Sequence, residues 1–167
     1  GASVEEYEAD LIKKHEHTRP VKEDDRTRHI DALDAQSGPV FLTYKARPEI
    51  DAIVRRLTAA PPAYDFVAPD GIQHVVWVVA DPNERDSLAR AFAAVPELYV
   101  ADGHHRSAAA TRIRALRRDA NPGHRGDEPY NFFLAVIFPD DQMQILDYNR
   151  VVKDLHGRTV DAFLAGV

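Results

Sequence analysis

The sequence predicts a mixed α+β fold, and three observations predict it. Short β-branched and aromatic runs recur between stretches with helical apolar spacing. Two turn signals, Pro69-Asp70-Gly71 and Pro139-Asp140-Asp141-Gln142, each separate a pair of strand-like runs and mark hairpins. The interleaving lacks the regular alternation of a doubly wound parallel sheet, so a mixed sheet with helices is expected. The 167 residues are the size of one ordinary domain and are enough to bury a core.

Taken in order, Val4 to Leu11 reads as either a frayed strand or a short helix, and Leu11 to Pro20 as a strand giving way to loop, because Pro20 disfavours helix at Arg19. Lys22 to Gln36 is helical, with Glu23, Asp24 and Asp25 suiting a positive N-terminus; Gly38-Pro39 stops it. Pro39 to Lys45 is a strand. Pro48 to Ala60 is a helix with proline at its start and Ile50, Ile53, Val54 and Leu57 on one face. Tyr64 to Ala68 and Gln73 to Ala80 form the first hairpin; His74 to Val79 is so uniformly apolar that it reads as a central strand. Asp81, Pro82 and Glu84 open a helix in a capping-box arrangement. Leu98 to Ala101 is a strand, and a helix is expected from about Ser107 to Arg118. Residues 119 to 129 read as a mobile polar loop. Tyr130 to Phe138 and Met143 to Val152 make the second hairpin, and a last helix starts at Thr159 and runs to Val167, still apolar where it stops. The expectation is a single α+β domain over residues 1–167, cut from a longer chain.

Hydrophobic residues make up 44% and charged residues 29%, a globular balance and not that of a disordered tail. Asp and Glu number 27 against 21 Lys and Arg, for a net charge of -6, which argues against a nucleic-acid-binding surface. There is no cysteine, which excludes disulfides, thiolate catalysis and Cys-ligated metals. No apolar run approaches the roughly 20 residues of a membrane span; no membrane partner is expected, and the expected location is the cytoplasm.

The segment that carries chemistry is Leu98-Tyr-Val-Ala-Asp-Gly-His-His-Arg-Ser107, an apolar strand feeding a glycine turn that opens into a helix. Gly103 permits a positive φ or a close backbone approach. The following helix N-terminus offers free N–H groups and the positive end of its dipole to an anion. His104, His105 and Arg106 add donors at the same end, and Asp102 is placed to orient a histidine or hold a metal ion. A plain strand–helix connection with solvated polar residues is the competing interpretation. A second cluster, Lys13-Lys14-His15-Glu16-His17-Thr18-Arg19, sets a carboxylate between two imidazoles, the residue types of acid–base work or metal binding. In an extended segment His15 and His17 share one face and Glu16 takes the other. Lys22 to Arg26 reads as a solvated helix face. The arginines at 112, 114, 117 and 118 fall on several faces of their helix, so they form no single phosphate stripe. Asn149 and Arg150 are placed at the end of a strand, either pointing into a site or exposed.

These motifs, together with Gly38-Pro39-Val40-Phe41, Phe138-Pro139 and Ile145-Leu146-x-Tyr148-Asn149-Arg150, resemble the bacterial and archaeal domain-of-unknown-function family numbered 1015, across nearly the whole chain. Gly-x-x-Arg at a strand-to-helix turn also resembles, more distantly, the phosphate-binding box of the ParB and sulfiredoxin-like superfamily. That resemblance implies a mixed sheet with flanking helices. It also implies phosphate binding by Gly103, His104, His105, Arg106 and Ser107. Glu16 is the candidate counterpart of the carboxylate base used by the superfamily's serine kinase. Sulfiredoxin's cysteine chemistry is excluded.

The first expectation is therefore a cytoplasmic nucleotide- or phosphate-binding domain with phosphotransferase or phosphohydrolase chemistry on a small molecule. Its ligand would be a nucleotide with Mg²⁺, and Glu16, Asp102, His104 and His105 would be its catalytic groups. The alternatives are a non-enzymatic nucleotide-sensing regulator, or a metal-dependent hydrolase using His15, His17, His104, His105 and Asp102.

Overall fold

The computed structural model describes residues 1–166. In chain order its elements are β1 (Ala2–Ser3), α1 (Val4–Glu8), β2 (Ile12–Lys13), α2 (Pro20–Leu33), β3 (Val40–Tyr44) and α3 (Pro48–Leu57). There follow β4 (Tyr64–Val67), β5 (Gln73–Val76), α4 (Pro82–Ala93), β6 (Leu98–Asp102), α5 (His104–Asp119), β7 (Phe132–Phe133), β8 (Ala135–Pro139) and α6 (Val160–Leu164). Single 3₁₀ turns cover Pro129–Asn131 and Asp140–Gln142.

The fold is α+β, built on a four-stranded mixed sheet in the order β2-β6-β3-β8. β6 runs parallel to β2 and antiparallel to β3, while β3 runs parallel to β8. β3 alternates buried and half-buried residues, the period-two pattern of a strand with one face on a core. Leu42 and Val100 face each other across the central pair and are fully buried. Ile12, Val4 and Phe133 complete the core from β2, α1 and β7. Ala109, Ala110 and Ile113 are the buried side of α5, so two alanines let that helix approach closely. Because β3 and β6 are antiparallel, the start of β3 lies beside the end of β6: Phe41 is opposite Asp102, with a register shift between Phe41 and Leu42. Gly38-Pro39 is thereby brought against the Gly103 turn.

Val4–Glu8 takes the helical of its two expected readings, capped by the Ser3 hydroxyl. Several other expectations change. α5 begins at His104, three residues before the expected start, so His104, His105 and Arg106 are its first turn. His74 to Val79 is not central. β5 ends at Val76 and pairs only with β4 in a separate two-stranded sheet, because both sides of β3 and of β6 are already occupied within the main sheet. Met143 to Val152 forms no strand and is largely exposed. Its apolar residues come as adjacent pairs, Ile145-Leu146 and Val151-Val152, which breaks the alternation that would give one buriable face.

The loop at 119–129 is tied down rather than loose. The Glu128 carboxylate accepts from the backbone N–H groups of Arg125 (2.7 Å) and Gly126 (2.9 Å) and from Asn131 Nδ2 (2.9 Å). Desolvation alone would raise its pKa; the backbone N–H groups and the nearby His124 outweigh it and hold it at about 2. The final helix is α6, capped by Thr159; it ends at Leu164 with Ala165 as its C-cap, short of the expected run to Val167, whose last residue lies outside the described residues.

Candidate anion site at the start of α5

Gly103 makes the turn from β6 into α5 with φ +104°, a conformation L side chains rarely adopt. A Cβ there would lie 3.2 Å from Val40 Cα and 3.0 Å from Arg106 Nε, so a side chain would crowd both neighbours in addition to straining φ. The turn sets three consecutive side chains on the first turn of α5.

His104 points inward and is 3% exposed. Its Nε2 accepts from the His15 backbone N–H at 3.4 Å, which leaves its proton on Nδ1, 3.6 Å from the Glu16 carboxylate. The His15 ring meets it edge-on with centroids 4.4 Å apart. Burial, then the His15 ring, push the His104 imidazole below the ordinary histidine value, against the opposing pull of Glu16 and Asp102. A neutral ring fits its accepting Nε2 and suits an orienting role better than charge neutralisation. His105 takes a matching part, with Nε2 accepting from the Arg19 backbone N–H at 3.1 Å. Two histidines of α5 thus hold both ends of the segment that carries Glu16. That segment leads directly into α2, whose N-cap is Arg19.

The guanidinium of Arg106 folds back over the turn and pairs with Asp102 at 2.6 Å. Asp102 therefore partners an arginine, not a histidine ring. A Cβ on Gly38 would lie 3.4 Å from Arg106 Nη1, so Gly38 leaves room for the guanidinium. Ser107 is fully buried, and its hydroxyl turns back to the carbonyls of Gly103 and His104, away from any ligand position. The N–H groups of Arg106 and Ser107 both donate to the Gly103 carbonyl. Among the described residues, the N–H groups of His104 and His105 are the unpaired donors at this helix start.

Glu16, Asp102, Gly103, His104, His105 and Arg106 all line one open cavity of about 820 Å³. Its far wall is α2, lined by Arg19, Lys22, Arg26 and His29 with Asp25 among them, so the Lys22 to Arg26 stretch borders the cavity and is not simply the solvated helix face that was expected. The missed signal is their spacing, at intervals of three, four and three, which puts them on one helix face. Five arginine and lysine side chains line the cavity against three carboxylates, in a chain whose net charge is -6. The α5 arginines are used otherwise. Arg112 pairs with Asp24 at 2.6 Å, Arg117 with Asp34 at 2.7 Å, and Arg114 with Glu8 at 2.8 Å. His17 is exposed and does not reach the cavity, and Asn149 and Arg150 are exposed and outside it.

A family model described as "Protein of unknown function (DUF1015)" matches residues 1–167. The chain belongs to that family. No curated protein and no solved structure matches it. Membership of this family brings no activity with it, so chemistry has to be read from the cavity. Among the described residues, no group of three or more His, Asp or Glu side chains is arranged to hold a metal ion. The set His15, His17, His104, His105 and Asp102 does not converge, and the residues present do not fit a dedicated metal centre. Also among the described residues, no helix is long and apolar enough to cross a membrane.

Proposed function

We propose that this cavity binds the phosphate group of a small molecule, with a nucleotide as the preferred class. We also propose that Glu16 is the base of a phosphotransfer or phosphohydrolysis on that ligand. The observation that carries the proposal is the convergence on one cavity of the Gly103 turn, the unpaired N–H groups of His104 and His105, the Arg106 guanidinium and the Glu16 carboxylate. A helix N-terminus with an adjacent arginine supplies charge-assisted, directional donors to phosphate oxygens. Phosphoryl transfer asks for little beyond positioning and charge stabilisation. In this reading His104 is a positioning residue: its Nε2 holds the backbone of the segment that carries Glu16, and its Nδ1–H faces that carboxylate. Glu16 would take the proton of an alcohol or water as its oxygen bonds to phosphorus and the bond to the leaving oxygen breaks.

A thermal-shift series with orthophosphate, ADP and ATP tests the binding. A ligand at a hundred times its Kd stabilises by about 2.7 kcal/mol. For a chain of this size that is a rise in Tm of roughly 5–10 °C. Glu16→Gln is expected to keep the shift while losing turnover of ATP in the presence of an acceptor. Absence of any shift across the three ligands would remove the proposal.

A further inference from the structure

We infer that the cation row of α2 is a second anion subsite, facing the Arg106 turn, so that the ligand carries a chain of two or more phosphates and not a single one. This rests on the phosphate reading of the Gly103 turn. Its evidence is separate and comes from α2.

α2 has two charged stripes. Asp24, Asp31 and Asp34 form one and are paired to Arg112 and Arg117 of α5. Arg19, Lys22 and Arg26 form the other and line the cavity together with His29 and one acid, Asp25. Among the described residues, no carboxylate forms an ion pair with Arg19, Lys22 or Arg26, although α2 itself is rich in acids.

The row is also badly placed for the helix alone. Lys22 and Arg26 are four apart, a like-charge spacing that weakens an isolated helix. Arg19 and Lys22 stand at the N-terminal end, where the helix dipole disfavours cations. α5 likewise places a cation, Arg106, in its first turn with no acid there. The two N-termini are joined directly through the Arg19 N–H and His105 Nε2. The two helix starts therefore meet at one cavity, with Arg19 and Lys22 beside Glu23 at one and Arg106 at the other. A bound anion is what makes both placements favourable.

The cavity has room for more than one phosphate. Orthophosphate occupies the space of a few waters, at roughly 30 Å³ each, which is a small part of about 820 Å³. A phosphate chain can engage the α5 turn at one end and the α2 row at the other. The concave shape, and the pairing of the α5 arginines within the fold, favour a small polyphosphorylated molecule over a nucleic-acid strand.

Calorimetric titration of the full chain with orthophosphate and with pyrophosphate tests this. The wild type is expected to bind pyrophosphate at least about tenfold more tightly, the equivalent of one added charged hydrogen bond. Lys22→Ala combined with Arg26→Ala should abolish that preference and leave orthophosphate affinity unchanged. Both side chains are exposed and unpaired, so this variant should keep or gain thermal stability. A preference that survives in the double variant overturns the inference. So does wild type that binds orthophosphate without preferring pyrophosphate. Tighter binding of a single-stranded RNA oligomer than of pyrophosphate, lost in the double variant, would overturn it in favour of nucleic acid. Failure of both phosphates to bind the wild type would instead remove the phosphate reading on which the inference rests.

Discussion

Arg106 lies between two demands. Its guanidinium pairs with Asp102 at 2.6 Å, yet it also borders the cavity. Asp102 is well exposed, so the pair contributes only about 0.2–1 kcal/mol to stability. Asp102 then competes with an incoming anion, and Asp102→Asn is expected to tighten orthophosphate binding several-fold in calorimetry. A metal-binding or basic role for Asp102 would give the opposite, a loss of affinity. Gly103 supplies the second residue-level expectation. Gly103→Ala meets both a strained φ and the Val40 backbone, a combination expected to cost about 1–3 kcal/mol. Gly71 also has a positive φ, +84°, but open space around it. Gly71→Ala should therefore lower Tm less than Gly103→Ala, and equal losses would mean that crowding at the turn is unimportant. The turn was legible in the sequence because its parts are adjacent: an apolar strand, a glycine and three polar residues within ten positions. What was not legible is that Ser107 faces inward and that Asp102 prefers Arg106, since both depend on how far α5 is rotated over the sheet.

At the scale of elements, the segment from His15 to Arg19 is held by two imidazole nitrogens, each accepting a backbone N–H. A protonated ring cannot accept at that nitrogen, so the His104 contact requires the neutral ring. Burial, with the His15 ring adding to it, lowers the folded-state pKa of His104. The unfolded chain therefore takes up this proton first as pH falls. The stability tied to His104 is fully present above the ordinary histidine value of about 6.5 and is lost as pH falls through the lower folded value. Denaturant unfolding from pH 8 downward should show this loss in the wild type, with a flatter profile in His104→Gln. The same slope in both proteins would mean that another group sets the pH response. Spacing could not show that Glu16 and the Gly103 turn share a cavity, since they stand at positions 16 and 103 of the chain. The α2 row was missed for a related reason. Helix α2 is polar on nearly every side, and only the pairing of Asp24, Asp31 and Asp34 with α5 decides which face is left for the cavity.

Across the whole molecule, stability is unevenly spread. β3 and β6 each have neighbours on both sides and carry the buried Leu42 and Val100, whereas β4 and β5 pair only with each other and are largely exposed. A lone two-stranded hairpin is marginal in water. Amide exchange should therefore be slowest in β3, β6 and α5 and fast in β4–β5, and comparable protection in the hairpin and in β6 would contradict the topology. The α+β class and most helices were legible from periodicity and punctuation. The place of each strand was not, because a run such as Val75-Val76-Trp77-Val78-Val79 records apolarity and not whether a partner edge is free. The cavity is a product of that topology: antiparallel β3 and β6 bring Gly38 to Gly103, and α2 closes the far side. Its proposed use is tested most directly by calorimetric titration of ADP into wild type and Arg106→Ala, alongside thermal unfolding without ligand. Losing a charged hydrogen bond to phosphate costs about 1.5–3 kcal/mol, so affinity should fall roughly tenfold to over a hundredfold. Loss of the exposed Asp102 pair should lower Tm by no more than about 4 °C. An affinity unchanged in Arg106→Ala, with Tm down by many degrees, would show that Arg106 serves the fold and that the cavity does not hold phosphate through it.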